Sequence, residues 1–406
     1  MAEKPLSVAW ISYFPVEWLP DPPPEARLPR RHPAPWQRTL LAELAARADL
    51  RLHVLVTRKQ FPRDVTFERD GVTFHCLKVQ GGLRAPSLFW TDTWRIRSVV
   101  AAVKPDLIHA WGTESGAALV ASRLGRPYLV TIQGLLGWLG TQVPLNRYQR
   151  VMSWLEIFSL RRARSATVES AFAAAQTRRE WPRLAVRRIE VVPGWEFHRV
   201  VRRPPTDRIR VVLVGGLNFA KGGDLLLRAF GHLRARHPLE LIVVGRHEPD
   251  WPAALQKQIP AGTLEAIQFR PDLTSAQVAE ELAAATLAVC PTRADTGPMS
   301  AKEAVVAGVP LVGSRVGGIP EYVVEGRNGL LFEPGDAAGF TAALDAACEH
   351  PKFRRGEVDL EIRDRLRREL SPALCAQNFL ECYRETLATT KQREGSGGAP
   401  SASSSR

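Results

Sequence analysis

The sequence predicts an α/β protein that contains two doubly wound parallel sheets. Short apolar runs typical of buried strands alternate with longer amphipathic segments typical of helices along most of the chain. The alternation is interrupted near Arg199–Asp207, where Pro204 and Pro205 indicate a linker. The length of 406 residues suits two such domains, and 45% of the residues are hydrophobic, which is ample for two cores.

In the first half, β-rich apolar runs and amphipathic stretches define the elements in order. The proline-rich segment Pro15–Pro35 is predicted to be a long loop over a cleft. The predicted strands are Leu6–Tyr13, Arg51–Thr57, Val72–Val79, Asp106–Ala110, Tyr128–Ile132 and Arg188–Val192. The predicted helices are Trp36–Arg47, Thr91–Val103, Gly116–Leu124, Asn146–Arg164 and Val168–Arg179.

The most informative stretch is Pro291–Asp336. A loop ends in Thr296-Gly297-Pro298, a helix follows, then the strand Val309–Gly313, and a Gly-Gly turn leads into a further helix. Loops that open helices at the ends of parallel strands bind phosphates and nucleotides. Asp295 and Glu303 flank the loop, so one carboxylate can hold ribose hydroxyls while the other faces a sugar.

A second glycine-rich turn follows the predicted strand Arg210–Gly215. Gly216 and the small residues after it let the backbone approach a diphosphate, and Lys221 is placed to neutralise it. Arg246 and Arg293 are further candidate cations for the same diphosphate. Neither glycine-rich turn has the spacing of a dinucleotide-binding dehydrogenase.

Together these motifs resemble the nucleotide-sugar site of the retaining family-4 glycosyltransferases (glycosyl transferases group 1). The resemblance implies a GT-B fold, in which two Rossmann-like domains face a cleft. The matching elements are Glu303, Gly308-Val309-Pro310, Gly317-Gly318-Ile319-Pro320-Glu321 and Gly326-Arg327-Asn328-Gly329-Leu330-Leu331. The departures are Asp295 where the family usually has glutamate, Gly216 where it has arginine, and Gln133 where it has histidine.

The resemblance implies transfer of a sugar, with retention, from a UDP or GDP sugar to a hydroxyl of a glycan, a lipid-linked sugar or a small molecule. It also implies a role in cell-envelope or exopolysaccharide synthesis. The absence of an Asp-x-Asp motif predicts a metal-independent enzyme without a cofactor. The residues predicted to bind the nucleotide are Gly215, Gly216, Lys221, Arg246, Arg293, Gly297, Pro298, Met299, Ser300 and Glu303.

The first half supplies the candidate contacts to the sugar and the acceptor. His109 and Glu114 lie at or after the end of one predicted strand, and Gln133 follows the next. Glutamine does not titrate, so Gln133 can only hydrogen-bond a hydroxyl or carbonyl group. For His109, the alternative is a core histidine whose nitrogens are satisfied by the protein. The residues predicted to act in catalysis are Lys221, Asp295, Glu303, Gln133, His109 and Glu114.

The domains expected from this pattern are residues 1–200, which bind the acceptor, and residues 206–370, which bind the nucleotide sugar. As in similar GT-B enzymes, a helix over residues 371–390 is expected to pack back on the first domain. The low-complexity residues 391–406 are expected to be disordered.

The N-terminus lacks a signal-peptide pattern, no apolar run approaches about 20 residues, and the cysteines show no zinc or disulfide spacing. A cytoplasmic protein is expected.

Charge is distributed unevenly between the halves. Residues 1–205 carry 31 Lys and Arg against 17 Asp and Glu, whereas residues 206–406 carry 24 against 25. The helix predicted over Asn146–Arg164 alternates arginines with Trp154, Ile157 and Phe158. It is either an interfacial helix on an anionic inner-membrane surface or a core-packed helix with a solvated arginine face.

Two other functions stay open, a GT-B nucleotide-sugar epimerase and a non-enzymatic basic module that binds a polyanion or a membrane. No nucleic-acid-binding motif is present.

Overall fold

The computed structural model describes residues 4–30, 33–245 and 257–396. Within these ranges the strands form two sheets, one of eight strands in the order β3-β4-β2-β1-β5-β6-β7-β8 and one of six in the order β11-β10-β9-β12-β13-β14. The strands of the first sheet are β1 Leu6–Ile11, β2 Leu50–Arg58, β3 Val65–Arg69, β4 Val72–Lys78, β5 Leu107–Trp111, β6 Tyr128–Ile132, β7 Ser165–Val168 and β8 Ala185–Arg188. Those of the second are β9 Ile209–Val214, β10 Leu239–Val244, β11 Ile267–Arg270, β12 Leu287–Cys290, β13 Leu311–Ser314 and β14 Gly329–Phe332.

Helices connect the parallel strands in both halves, which confirms the predicted α/β fold with two Rossmann-like sheets. The helices of the first half are α1 Pro35–Ala45, α2 Trp90–Val103, α3 Ala117–Ala121, α4 Leu136–Gln142, α5 Arg147–Arg162, α6 Ala171–Glu180 and α7 Trp195–His198. Those that follow are α8 Gly223–Leu233, α9 Ser275–Ala284, α10 Met299–Ala307, α11 Ile319–Tyr322, α12 Ala337–Glu349, α13 Leu360–Glu369 and α14 Pro372–Ser396. Among the described residues, no helix is both long enough and apolar enough to cross a bilayer.

The first sheet has one antiparallel edge strand that the sequence analysis missed. β3 pairs with β4 through a hairpin whose two turn residues, Asp70 and Gly71, have φ of 51° and 75°. An Asp-Gly pair suits such a two-residue turn, because aspartate tolerates positive φ better than most residues and glycine adopts it freely. The exposed and half-buried residues alternate along β3, as expected for an edge strand.

Two further elements differ from the prediction near the end of the first sheet. The predicted strand Arg188–Val192 is wrong, because β8 ends at Arg188. The preceding strand, β7, was not predicted, and the helix expected from Val168 begins at Ala171 instead. Both strands are only four residues long, too short for a clear alternation of apolar and polar residues.

The last helix, α14, packs against the first sheet. Trp10 Nε1 donates a hydrogen bond to Tyr383 Oη over 3.1 Å, and Arg384 pairs with Asp49 at 2.8 Å. The buried side chains of α14 join a hydrophobic cluster that also includes Trp10 and Trp111. The helix continues to Ser396, so residues 391–396 of the predicted tail are helical, and residues 397–406 lie outside the described part of the chain.

The two halves also contact each other directly along one side of the cleft. Glu321, on α11, accepts hydrogen bonds from the backbone amides of Ala171 and Phe172 at the start of α6, at 3.0 and 3.1 Å. Ser170 Oγ donates to the carbonyl oxygen of Thr296 over 2.6 Å. A carboxylate from the second half therefore caps a helix of the first half.

Candidate active site

A cavity of about 930 Å³ lies between the two sheets. Strands of both sheets deliver residues to it at their carboxyl ends: Gln133 follows β6, Glu169 follows β7, Gly215 follows β9 and Gly245 follows β10. In open α/β sheets, ligands bind in the crevice outside the carboxyl ends of the strands. The position of the cavity therefore marks it as the candidate active site.

The cavity brings together nine of the residues predicted from the sequence. They are Gln133, Gly215, Lys221, Asp295, Gly297, Pro298, Met299, Ser300 and Glu303. Four others, His109, Glu114, Gly216 and Arg293, do not line it. Arg246 lies outside the described residues.

Among the described residues that line this cavity, Lys221 is the cation. Its Nζ forms an ion pair of 2.6 Å with Asp295 Oδ2, and the lysine side chain remains about one third exposed, at 32%. Burial opposes the charge of the lysine, but the Asp295 carboxylate outweighs it, so the pKa of Lys221 is raised. The other oxygen of Asp295 accepts the Gly297 amide at 3.1 Å, which fixes the carboxylate at the mouth of α10.

The turn after β9 is shaped by close backbone approaches. Gly222 has φ of 71°, and a Cβ atom there would collide with the carbonyl oxygen of Pro291. A Cβ on Gly245 would lie 2.6 Å from the Gly216 nitrogen. The Gly216 amide itself donates to the Val244 carbonyl at 3.0 Å, so it is occupied within the protein. Gly216 therefore shapes the turn rather than offering a free amide to a phosphate.

Arg293 holds this turn in place from behind. Its Nη1 and Nη2 form a bidentate pair with the buried Asp224 carboxylate, at 2.7 and 2.9 Å. Nη1 also donates to the Phe219 carbonyl at 2.6 Å, and the guanidinium group lies 3.9 Å from the centre of the Phe219 ring. Because Asp224 neutralises the charge of Arg293, Lys221 is the cation that reaches the cavity from this turn.

Helix α10 begins at the cavity wall. Pro298 is its N-cap residue and makes no side-chain cap, so the first amides of the helix have no acceptor within the helix. Met299 and Ser300, which carry two of these amides, line the cavity. A helix start with free amides and a nearby lysine forms an anion-binding corner, the arrangement that phosphates prefer.

Glu303 lies one turn further along α10 and is 5% exposed. Among the described residues, no hydrogen-bond or ion-pair partner faces its carboxylate, although it lines the cavity. Burial, with a smaller contribution from Glu196, raises the pKa of Glu303 to about 8. A buried carboxyl group with no hydrogen bond from the described residues is costly, and its place in the cavity wall leaves this one open to a ligand.

Gln133 enters the cavity from the first half. In the amide orientation that satisfies both ends, its nitrogen donates to Glu114 Oε1 at 3.1 Å, and its oxygen accepts from Trp36 Nε1 at 2.7 Å. Glu114 is held in turn by the Thr113 amide at 2.9 Å, and burial raises the pKa of Glu114. Glu114 thus positions Gln133 from behind rather than facing the cavity.

His109 is fully buried beneath the site. Its Nδ1 lies 2.8 Å from Tyr383 Oη, and its Nε2 lies 2.7 Å from Thr131 Oγ1. Burial lowers the pKa of His109 to about 3, which keeps the ring neutral at physiological pH. His109 is therefore a core histidine whose two ring nitrogens are hydrogen-bonded within the protein, and it links β5 to α14. This is the alternative given above to a role in catalysis.

Glu169 also lines the cavity, although no sequence motif contains it. Its Oε1 accepts from Thr296 Oγ1 at 2.9 Å, and its Oε2 lies 3.6 Å from Lys302 Nζ. Burial raises the pKa of Glu169 to about 7, and Lys302 opposes part of that rise. The short β7 strand that precedes Glu169 gave no sequence signal, so its position at a strand end was not visible.

Two Rossmann-like sheets that face each other across a cleft are the architecture of the GT-B fold. Residues 208–350 match the family model described as "Glycosyl transferases group 1", and residues 26–195 match "Glycosyl transferase 4-like domain". The chain therefore belongs to the group 1 glycosyl transferases, as the motifs predicted.

Individual proteins agree with this assignment. The chain is 28% identical over 316 residues to a glycogen synthase of Mycobacterium tuberculosis, an alignment that covers 73% of this chain and 72% of that protein. The sucrose-phosphate synthase of Thermosynechococcus elongatus superposes with a TM-score of 0.77 at 19% identity, over 95% of this chain and all of that one. Anabaena HepE, in complex with UDP and glucose, gives 0.64 at 16% identity over 93% of this chain and 99% of that one.

Proposed function

We propose that this glycosyltransferase transfers a sugar, with retention and without a metal ion, from a nucleoside diphosphate sugar to a hydroxyl acceptor. The observation that carries the proposal is the cavity that holds Lys221, the free amides at the start of α10, and the unpartnered Glu303 together. UDP or GDP is the favoured nucleotide. UDP and glucose are bound in Anabaena HepE, which supports the choice of a nucleotide sugar.

In this mechanism, the bond between the anomeric carbon and the diphosphate oxygen breaks while the acceptor oxygen bonds to that carbon. The acceptor proton passes to the departing diphosphate, on the same face of the sugar. The protein then has to stabilise the negative charge of the diphosphate, which Lys221 and the amides of Met299 and Ser300 are placed to do. Glu303 would accept hydrogen bonds from ribose hydroxyls.

Asp295 and Gln133 would face the sugar from opposite sides of the cavity. Lys221 forms an ion pair of 2.6 Å with Asp295. A bound diphosphate therefore has to share Lys221 with Asp295 or displace Asp295 from it. Gln133 keeps a fixed orientation through Glu114 and Trp36, and it offers an amide but no titratable group. A positioned amide suits hydrogen bonding to sugar hydroxyls. An epimerase, which has to move protons, is less well served by it.

Nucleotide binding is the first prediction to test. In a thermal-shift screen against UDP, GDP, ADP, dTDP and CDP, we expect one diphosphate to raise the Tm by about 3 °C or more when it is present at about 100 times its Kd. EDTA should leave the shift unchanged, since Lys221 and the helix amides supply the positive charge. Lys221→Met should remove the shift, whereas Lys352→Met, on an exposed lysine of the same domain, should retain it. Failure of every nucleotide to bind would refute the donor site, and a shift lost in EDTA would refute metal independence.

The acceptor side has a surface suited to an anionic membrane. Helix α5 buries Met152 and Leu155 but exposes an apolar face, with Tyr148 57% and Trp154 52% exposed. The arginines of this helix are Arg147, Arg150, Arg161 and Arg162. Exposed aromatic and arginine side chains on one helix favour an interfacial position. We therefore include a peripheral association with the cytoplasmic face of the inner membrane, and a lipid-linked or glycan acceptor, in the proposal.

Vesicle binding tests this association. We expect the protein to sediment with vesicles that contain phosphatidylglycerol and not with pure phosphatidylcholine vesicles, because both the apolar face and the arginines of α5 are needed. Trp154→Gln combined with Ile157→Gln should weaken binding about tenfold or more, because burial of such side chains contributes about 2 kcal/mol each. Leu360→Gln, on an exposed apolar residue of the second half, is the control. Equal binding by the double variant and the control would argue against α5 as the docking face.

A cytoplasmic location is part of the same proposal. All five cysteines are free thiols and buried, a pattern expected in a reducing compartment. A role in cell-envelope or exopolysaccharide synthesis remains the expectation that the family supplies.

A further inference from the structure

A second cavity, of about 590 Å³, lies in the first half of the molecule and is separate from the cleft. Its polar and aromatic lining comes from four loops and the first turn of α5. The residues that matter for its chemistry are Tyr13, Lys59, Gly81, Arg84, Ser115 and Tyr148. None of these side chains has a role in the donor site.

The charged side chains that line this cavity are basic. Of the described residues that line it, two are cations, Lys59 and Arg84, and none is an aspartate or a glutamate. Arg84 uses Nε and Nη2 to hold the buried Asp92, at 3.0 and 2.7 Å, and among the described residues its Nη1 has no hydrogen-bond partner. Lys59 has no ion-pair or hydrogen-bond partner within the same part of the chain. One cation is therefore fixed and the other is available.

The local backbone makes room for the available lysine. A Cβ atom on Gly81 would lie 2.7 Å from Lys59 Cδ, so the lysine stem packs directly over this glycine and an alanine there would make the exposed side chain turn away. Tyr13 faces the same cavity, and its ring lies 4.2 Å from the guanidinium of Arg58 on another side. The arrangement favours an anion that also offers a surface for aromatic contact.

One loop separates this cavity from the cleft. Ser115 lines the second cavity, and the preceding residue, Glu114, accepts the hydrogen bond of Gln133, which lines the cleft. Tyr148 Oη, at the edge of the second cavity, donates to the Glu114 carbonyl oxygen at 3.2 Å. The second cavity and the cleft therefore lie on either side of the loop that carries Glu114 and Ser115.

We propose that the second cavity binds an anionic group of the acceptor, a phosphate mono- or diester, through Lys59 and Arg84. The acceptor hydroxyl would then extend toward Gln133. This inference rests on the proposed function for the identity of the ligand as an acceptor, but the anion site itself does not depend on it. Either a soluble sugar phosphate or a lipid headgroup can supply the phosphate, because the chemistry that recognises it is the same.

Calorimetric titration with glucose 6-phosphate, with glucose as the neutral counterpart, tests the soluble source. We expect the phosphate form alone to bind, and Lys59→Met to weaken it about tenfold or more, since the variant loses a charge-assisted hydrogen bond. Gly81→Ala keeps both charges but displaces the lysine, so it should weaken binding as well. Lys104→Met, at the far end of α2 and roughly 20 Å from the cavity by helix length, should bind normally.

The titration is repeated on Lys221→Met, which removes the donor-site cation, so that phosphate bound in the cleft is not mistaken for phosphate bound in the second cavity. Vesicles of phosphatidylcholine with and without hexadecyl phosphate test the lipid source with the same variants. Binding of either probe that depends on Lys59 and Gly81 supports the proposal and identifies the source. Binding that Lys59→Met and Gly81→Ala leave unchanged, or no binding of either probe, overturns it. If no nucleotide binds in the thermal-shift screen but the Lys59 dependence holds, the proposed function fails while the anion site stands.

Discussion

Replacing Glu303 by glutamine is expected to lower sugar transfer about a hundredfold or more and, at the same time, to stabilise the empty protein above pH 8. Transfer falls because the ribose hydroxyls lose a charged acceptor. Stability rises because the pKa of Glu303 is raised to about 8 in the folded protein, mainly by burial. An ionised carboxylate in this place is a cost that glutamine does not carry.

The sign of the pH dependence follows from that pKa. Between the unfolded value of about 4.5 and the folded value of about 8, unfolding releases the proton of Glu303, so the free energy of unfolding of the wild type falls as pH rises through this window. With about 1.4 kcal/mol per pKa unit, reduced by water that reaches the cavity, we expect a difference on the order of 2–3 kcal/mol between pH 5 and pH 9. Urea unfolding of both proteins across this range measures it.

Glu265→Gln makes the same chemical change on an exposed side chain of the same half and should alter neither transfer nor the pH slope. A second readout concerns the donor. Because nucleotide binding requires the ionised carboxylate in this proposal, affinity for the nucleotide should increase from pH 6 to pH 8 in the wild type and not in Glu303→Gln. Full activity of Glu303→Gln would remove Glu303 from the site.

Lys302→Met is expected to destabilise the protein by about 3–5 kcal/mol, the largest loss we predict for a single side chain. Lys302 is fully buried, and its Nζ contacts Glu190 at 2.9 Å, the Val191 carbonyl oxygen at 2.9 Å and Glu169 at 3.6 Å. Burial opposes the charge, but Glu190 and Glu169 raise the pKa of Lys302, and Lys302 in turn helps to lower the pKa of Glu190. Removing the lysine leaves Glu169 without an ion-pair partner among the described residues, and it leaves Glu190 with Arg188, at 2.6 Å, as its remaining cation.

Denaturant unfolding measures this loss, with Lys221→Met as the control. Both lysines belong to the second half and both pair with a carboxylate, but Lys221 is about one third exposed, so its removal should change the free energy of unfolding by less than about 1 kcal/mol. Adding Glu169→Gln to Lys302→Met should recover part of the loss, because it removes the buried carboxyl group that the variant leaves without a cation. An unchanged unfolding midpoint in Lys302→Met would show that the buried pair does not stabilise the closed arrangement of the two halves.

The contrast between Glu303 and Lys302 shows which parts of the site the sequence can predict. Asp295, Glu303 and the start of α10 occupy one contiguous motif and Lys221 a second glycine-rich turn, and the resemblance of both motifs to one family predicts that they share one cavity. Lys302 stands beside Glu303 in the chain, but its side chain faces Glu190 and Val191 in the other half. A contact between residues more than 100 positions apart has no local sequence pattern to reveal it.

The roles of His109 and Arg293 depend on partners that are equally remote in the chain. Both residue types are suited to catalysis or phosphate binding, and both follow or end strands that point toward the cleft. Their actual partners are Tyr383 on α14 for His109 and Asp224 on α8 for Arg293. The last helix was expected to pack on the first domain, but no sequence pattern specifies which of its side chains would face His109. The hydrogen-bond and ion-pair partners of a histidine or arginine at a strand end therefore have to be known before that residue can be assigned to ligand binding.

The cap that Glu321 places on α6 couples the first turn of that helix to the contact between the two halves beside the cleft. Two amides of α6, those of Ala171 and Phe172, have their acceptor only while the two halves are together on this side. Any widening of the cleft there leaves the first turn of α6 to water and frees Glu321 as well. Separation of the two halves on that side is thus coupled to fraying of α6, and the coupling depends on Glu321, a residue that does not line the cavity.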